Sequence, residues 1–80
     1  MAQPVTAPPI TPAQCKAARK LVGWSVLELA HRTGAEPMAL SRFEARRGML
    51  SLDKLADIRR AFEEAGVEFP DGTPRMKVGP

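Results

Sequence analysis

Arg42, Arg46 and Arg47 stand close together in a chain of 80 residues, with Ser41 beside the first of them. A guanidinium group is always charged and presents a rigid fork of N–H donors, so a cluster of them suits a polyanion. No competing chemistry stands out along the chain. His31 and Cys15 are the single members of their types and have no second Cys or His with which to hold a metal. Cys15 reads as a small core residue and His31 as a helix-surface side chain. No Ser/His/Asp arrangement, phosphate-cradling loop or pair of catalytic carboxylates occurs, and Asp53 with Asp57 reads as a solvated helix face. The expectation is a binding protein and not an enzyme, with no cofactor and no metal.

Two short helical patterns must position those arginines. The first begins at Ser25, a good N-cap, and runs from Val26 to Arg32, with Leu29 and Ala30 on its buried edge. Thr33-Gly34 closes it, since glycine tolerates the left-handed backbone of a helix end. Pro37 opens the second, where the first helical turn has no use for an N–H. Glu36 before it is an indifferent cap, although its carboxylate favours the positive helix end. From Pro37 to about Arg46, Leu40, Phe43 and Glu44 recur at i, i+3, i+4 and form one face, which leaves Met38, Ser41, Arg42 and Ala45 on the other.

Further helices flank this pair. Thr11-Pro12 starts a pattern that runs to Val22 and is closed by Gly23, with Cys15, Ala18 and Val22 inward and Lys16 and Lys20 outward. Ser51 caps another, in which Leu52, Leu55, Ile58, Phe62 and Ala65 recur at helical spacing before Gly66. This last helix reads as the slab against which the others lean. Beyond it the period changes: Val67-Glu68-Phe69 and Arg75-Met76-Lys77-Val78 alternate apolar with charged across a Pro/Gly-rich loop, which predicts a small β-hairpin. Two strands are marginal alone and must pack on the helices or pair with another subunit. The chain therefore divides into an N-terminal arm over 1–10, a helical domain over 11–66 and a hairpin or tail over 67–80. The arm is proline-rich and carries no cation before Lys16, so it reads as a flexible tail and not as a groove-reading segment.

Composition sets wider bounds. Eighty residues allow one domain whose core is only marginally sufficient, which favours a homodimer. Twelve basic against nine acidic residues give a net charge of +3, modestly suited to a polyanionic partner. No apolar run approaches the roughly 18 residues of a membrane span. The N-terminus lacks a basic region followed by an apolar stretch, so no signal peptide and a cytoplasmic location are expected.

The stretch from Thr11 to Val67 resembles the lambda-repressor-like, or Cro-type, helix-turn-helix family of phage, plasmid and bacterial regulators. The matching elements are Gly23-Trp24-Ser25, then Leu29-Ala30, then Gly34 four residues after that alanine, then Leu40-Ser41-Arg42-Phe43-Glu44. The resemblance implies an all-α, four- to five-helix domain with the short hairpin appended. It would bind double-stranded DNA as a transcriptional regulator, by default a dimeric repressor on a palindromic operator. The helix over 37–46 would enter the major groove, where Arg42 reads a guanine edge and Pro37 and Met38 touch base edges by apolar contact, with Ser41 beside them. Arg46 and Arg47 would grip the phosphate backbone, and Ser25 with the neighbouring Val26 would meet it at the other helix start. The family also pairs a basic residue four before the Gly-Trp-Ser glycine with the acid ending the recognition helix; here these are Arg19 and Glu44, a structural ion pair. Phe69, Met76 and Val78 are the candidates for the dimer contact.

The chain departs from that pattern at four places. Val26 stands where a glutamine is common, Glu36 and Ala39 where hydroxyl residues are usual, and Arg46 where a glycine often follows the glutamate by two. The DNA-facing side is thus poor in hydrogen-bond donors. Val26, Leu27 and Met38 could equally form an apolar patch for a protein partner, which makes a protein-binding module of the antiactivator or antitoxin-like kind the alternative.

Overall fold

Thr11 and Gln14 cap the first helix reciprocally. The Thr11 hydroxyl accepts from the Gln14 backbone N–H at 3.1 Å, while the Gln14 side-chain oxygen accepts from the Thr11 N–H at 2.9 Å. With Pro12 at its first position, α1 spans Pro12–Val22. The computed structural model describes residues 9–78, so most of the proline-rich arm lies outside the described residues. Ile10, assigned to that arm by composition, is only 2% exposed and belongs to the core. An isoleucine one residue ahead of a helix cap gains more by burial than it loses by being ordered.

The remaining helices are α2, Val26–Thr33; α3, Pro37–Glu44; and α4, Leu52–Glu64. Ser25 and Ser51 cap α2 and α4, each hydroxyl oxygen accepting from the backbone N–H three residues on. Gly34 ends α2 at φ 73°, its N–H donating to the Ala30 carbonyl at 2.8 Å. Lys54 of α4 then donates its ammonium to the Thr33 carbonyl at 2.8 Å, which places a cation at the negative end of α2 and ties the two helices. Two strands follow: β1, Val67–Glu68, pairs antiparallel with β2, Arg75–Met76, in the register Val67 opposite Met76. The architecture is thus mostly helical with a short two-stranded hairpin.

The core joins Cys15 and Ala18 of α1, Leu29 and Ala30 of α2, Leu40 and Phe43 of α3, Leu55, Ile58 and Phe62 of α4, and Val67 of β1. The α4 helix packs on α1, α2 and β1, whereas α3 leans on α1 and α2. Leu52 breaks the α4 stripe: as the first helical residue it lies a turn ahead of Leu55 and is 70% exposed. Trp24, in the turn between α1 and α2, stacks on Phe62 at 5.5 Å and also carries the Arg32 guanidinium 4.3 Å from its ring centroid. Phe69 packs against the core and lies 4.7 Å under the Arg59 guanidinium, so this expected dimer residue is engaged within its own chain. Met76 and Val78, its companions in that expectation, are exposed.

Gln14 makes one further contact. Its side-chain amide donates to the Gly72 carbonyl at the hairpin turn, so one residue both starts α1 and anchors the hairpin. We expect Gln14→Ala to cost about 1 kcal/mol, a fall of roughly 4–8 °C in Tm for a domain of this size. Gln14→Glu, which keeps the capping acceptor and loses the donor to Gly72, should fall between. Equal Tm for all three proteins in a thermal melt would show that the tie contributes nothing.

Candidate nucleic-acid interface

Burial of Leu40 and Phe43 decides which way α3 points its other residues. Met38, Ser41, Arg42 and Ala45 are exposed on the opposite face and Pro37 is half-buried at its start. Ser25 is exposed at the start of α2; its hydroxyl oxygen accepts from Glu28, which leaves the hydroxyl proton free to donate outward. Val26 is different from the expectation. It is half-buried and packs against the core, so it contributes little to any outward surface, polar or apolar.

The helix ends earlier than its periodicity suggested, at Glu44 and not at Arg46. The Arg46 N–H donates to the Phe43 carbonyl at 3.0 Å and the Arg47 N–H to the Arg42 carbonyl at 2.7 Å, the paired bonds of a Schellman closure. The same closure ends α1, where Gly23 and Trp24 donate to Lys20 and Arg19. Gly23 takes the left-handed position there at φ 75°; in α3 an arginine takes it, at φ 62°. An L-residue in that conformation costs on the order of 1 kcal/mol relative to glycine. The sharp turn brings Gly48 back over the helix, where an added Cβ would lie 3.2 Å from the Arg42 Cβ. Gly48 therefore lets the loop pass over the stem of Arg42 and limits where that side chain can go. Sequence reading gave Gly48 no role, although a glycine directly after two arginines was a signal of close backbone approach.

Glu44, the last residue of α3, meets Arg19 of α1 in a two-pronged ion pair. Arg19 Nε donates to Oε2 at 2.9 Å and Nη2 to Oε1 at 2.8 Å, with the side chains only 14% and 7% exposed. The remaining Nη1 donates to the Trp24 carbonyl at 3.0 Å, so one guanidinium joins α1, the end of α3 and the turn before α2. Cys15 adds a fourth bond, its thiol donating to Glu44 Oε2 at 3.3 Å. Burial pushes the Cys15 thiol far above its ordinary range and the Glu44 charge adds to this, so the sulfur stays protonated and acts as a donor. For Glu44, burial works against the charged form but is outweighed by the bonds from Arg19 and Cys15 and by the charges of Arg19 and Lys16, which hold its carboxyl below the usual value. The Glu44 bond likewise raises Arg19 against the opposing effect of burial.

The other cations divide into two groups. Arg32 pairs with Glu28, Lys54 and Arg60 with Asp57, Arg59 with Glu63 and Arg75 with Glu68. Among the described residues Arg42, Arg46 and Arg47 have no acidic partner, nor do Lys16, Lys20 and Lys77. The unpaired positive charge therefore lies on α1 and around α3 and the loop that follows it, with acids balancing the charge on α2, α4 and the hairpin.

Two outcomes follow from this geometry. A carboxyl held below its ordinary value of 4.5 contributes stability that is complete above that pH and is lost as pH falls through the lower folded value. In melts from pH 7 to pH 3, Glu44→Gln should begin about 3 kcal/mol less stable than the parent, and the gap should narrow as pH falls below 4.5; a constant gap would mean that the charge of Glu44 is not what stabilises. Arg46→Gly should release the left-handed strain and raise Tm by roughly 4–8 °C, whereas an unchanged or lower Tm would show that the arginine is not strained. Protein-family models give no match to this chain, and no curated protein is significantly similar to it.

Proposed function

We propose that this chain is a lambda-repressor-like helix-turn-helix protein that binds duplex DNA and regulates transcription, with α3 as the helix that enters the major groove. The observation that carries this reading is the exposed face of α3 running into Arg42, Arg46 and Arg47, none of which has an acidic partner among the described residues. Arg42 serves as the base reader, its fork matched to the two acceptors of guanine and its stem held under Gly48. Pro37, Met38 and Ser41 lie toward the groove floor, Met38 offering its side chain to a thymine methyl. Arg46, Arg47 and Ser25 hold phosphates on either side.

A symmetric dimer would present two such helices to half-sites about 34 Å apart, one helical turn of DNA. Exposed Met76 and Val78 support the hairpin as the contact between subunits, since a two-stranded sheet is marginal without further pairing. Occupying a promoter in this way represses it. The alternative, a protein-binding module, keeps the exposure of Leu27 at 68% and Met38 at 62% in its favour but loses Val26 from its patch.

Salt separates the two readings, because each neutralised phosphate releases a counterion whereas an apolar contact barely responds. NMR titration of residues 25–47 with genomic-promoter and random duplexes at two salt concentrations should give shifts centred on Arg42, Arg46 and Arg47 that weaken steeply with salt. Arg42→Ala should lower affinity for the preferred site roughly 5- to 100-fold and flatten the preference at one base pair, while Arg47→Ala weakens all duplexes alike. Absence of any salt-sensitive shift would transfer the assignment to a protein partner.

A further inference from the structure

The unpaired cations do not all lie on α3. Lys16 and Lys20 project from α1 and line a shallow groove of about 410 Å3 together with Arg46, Pro12, Ala13 and Ala17. Glu44 reaches this groove from below, yet it does not neutralise it. Both of its oxygens are engaged by Arg19 and Cys15, and its side chain is only 7% exposed. Arg19 and Glu44 cancel, so Lys16, Lys20 and Arg46 leave an uncompensated positive charge facing outward. The lining thus combines small apolar side chains with outward-facing cations.

We infer that α1 supplies a second phosphate grip, in which Lys16, Lys20 and Arg46 hold the DNA backbone flanking the segment read by α3. This inference rests on the DNA-binding reading above and extends it to residues outside the helix pair. Three features select a nucleic-acid strand as the occupant. Lys16 and Lys20 lie one helical turn apart on the same face, about 5–6 Å between their Cβ atoms, a spacing that suits successive phosphates along one strand. The groove is continuous with the α3 surface through Arg46, which belongs to both. Arg46 occupies a left-handed position that glycine fills at the equivalent closure of α1, so the chain retains a cation there against its backbone preference. The Ala and Pro side chains of the lining are small enough to let a sugar edge approach.

The test is the salt dependence of duplex affinity, read by fluorescence anisotropy for the parent, the Lys16→Gln/Lys20→Gln double variant, Arg46→Gly and Arg47→Ala. Each phosphate contact removed should lower the slope of log affinity against log salt by about 1, so the double variant should lose about 2. That loss should be equal for preferred and random duplexes, and the Tm of the double variant should stay close to the parent because both lysines are exposed and make no ion pair, Lys16 contributing only the smallest of the favourable effects on Glu44. Trimming the duplex to the segment under α3 should abolish the difference between the parent and the double variant. A parental slope in the double variant beside a reduced slope in Arg47→Ala would overturn the α1 grip and leave the DNA reading intact. No salt-dependent duplex binding by the parent would overturn both, and binding of a polyglutamate peptide at Lys16 and Lys20 in its place would assign the groove to an acidic protein.

Discussion

Three nitrogens of Arg19 hold both oxygens of Glu44 and the carbonyl of Trp24, and the direction of α3 depends on that arrangement. An eight-residue helix is too short to persist on its own propensity, so α3 owes its existence to what it buries. Leu40 and Phe43 supply the apolar part but leave the helix able to roll or slide on a smooth surface. The ion pair removes that freedom at one end, because two parallel N–H···O bonds fix an angle as well as a distance. The cost of partial burial is met by complete satisfaction: no buried side-chain polar atom lacks a partner among the described residues. Cys15 completes the set as a protonated thiol, which makes this buried cysteine part of the electrostatic lock and not merely filler.

The turn after α3 works against local preference where the lock works with it. Gly23 and Arg46 occupy the same position in two copies of one closure, and only the glycine is at ease there. Such a closure forms at Arg46 because the bonds to Phe43 and Arg42 and the neighbouring lock over-determine the backbone. The consequence is an abrupt end to the helix, with Arg46 lining a groove beside Lys16 and Lys20 of α1. A longer helix would have carried Arg46 around onto its own surface and closed the passage through which Gly48 crosses the Arg42 stem.

Much of the architecture was legible from capping chemistry and periodicity. Thr11-Pro12, Ser25, Pro37 and Ser51 mark starts that the backbone uses, and Gly23 and Gly34 mark ends, because these residues act locally through φ and single hydrogen bonds. The misjudged features depend on distant contacts. Ile10 looked like part of a proline-rich tail until the core it enters was known, and Leu52 fits the α4 stripe by spacing but lies beyond the reach of its neighbours. The α3 end was missed because arginine gives no signal for a left-handed residue, and only the glycine usual in the family the sequence resembles hinted at one there. The tie from Gln14 to Gly72 spans most of the chain, and no local pattern encodes it. At the site, the outward set of Met38, Ser41 and Arg42 followed from the 3.6-residue period, while the half-burial of Val26 required knowing how α2 packs on α4.

Net charge alone understates what this surface offers. An excess of three positive charges spread evenly over the molecule would give a weak field. The ion pairs of α2, α4 and the hairpin consume their own cations within the first contact shell, where screening leaves little to be felt outside. What remains unpaired is confined to Lys77 and to a belt from α1 across the end of α3, so the local potential there exceeds what the composition implies. Of the acids without an ion pair among the described residues, Asp53, Glu64 and Asp71 lie away from this belt, while Glu36 caps the opposite end of α3. Because the charges that persist at distance are those without near partners, the field outside the molecule is set by where they cluster, and the cations among them cluster on α1 and at the end of α3.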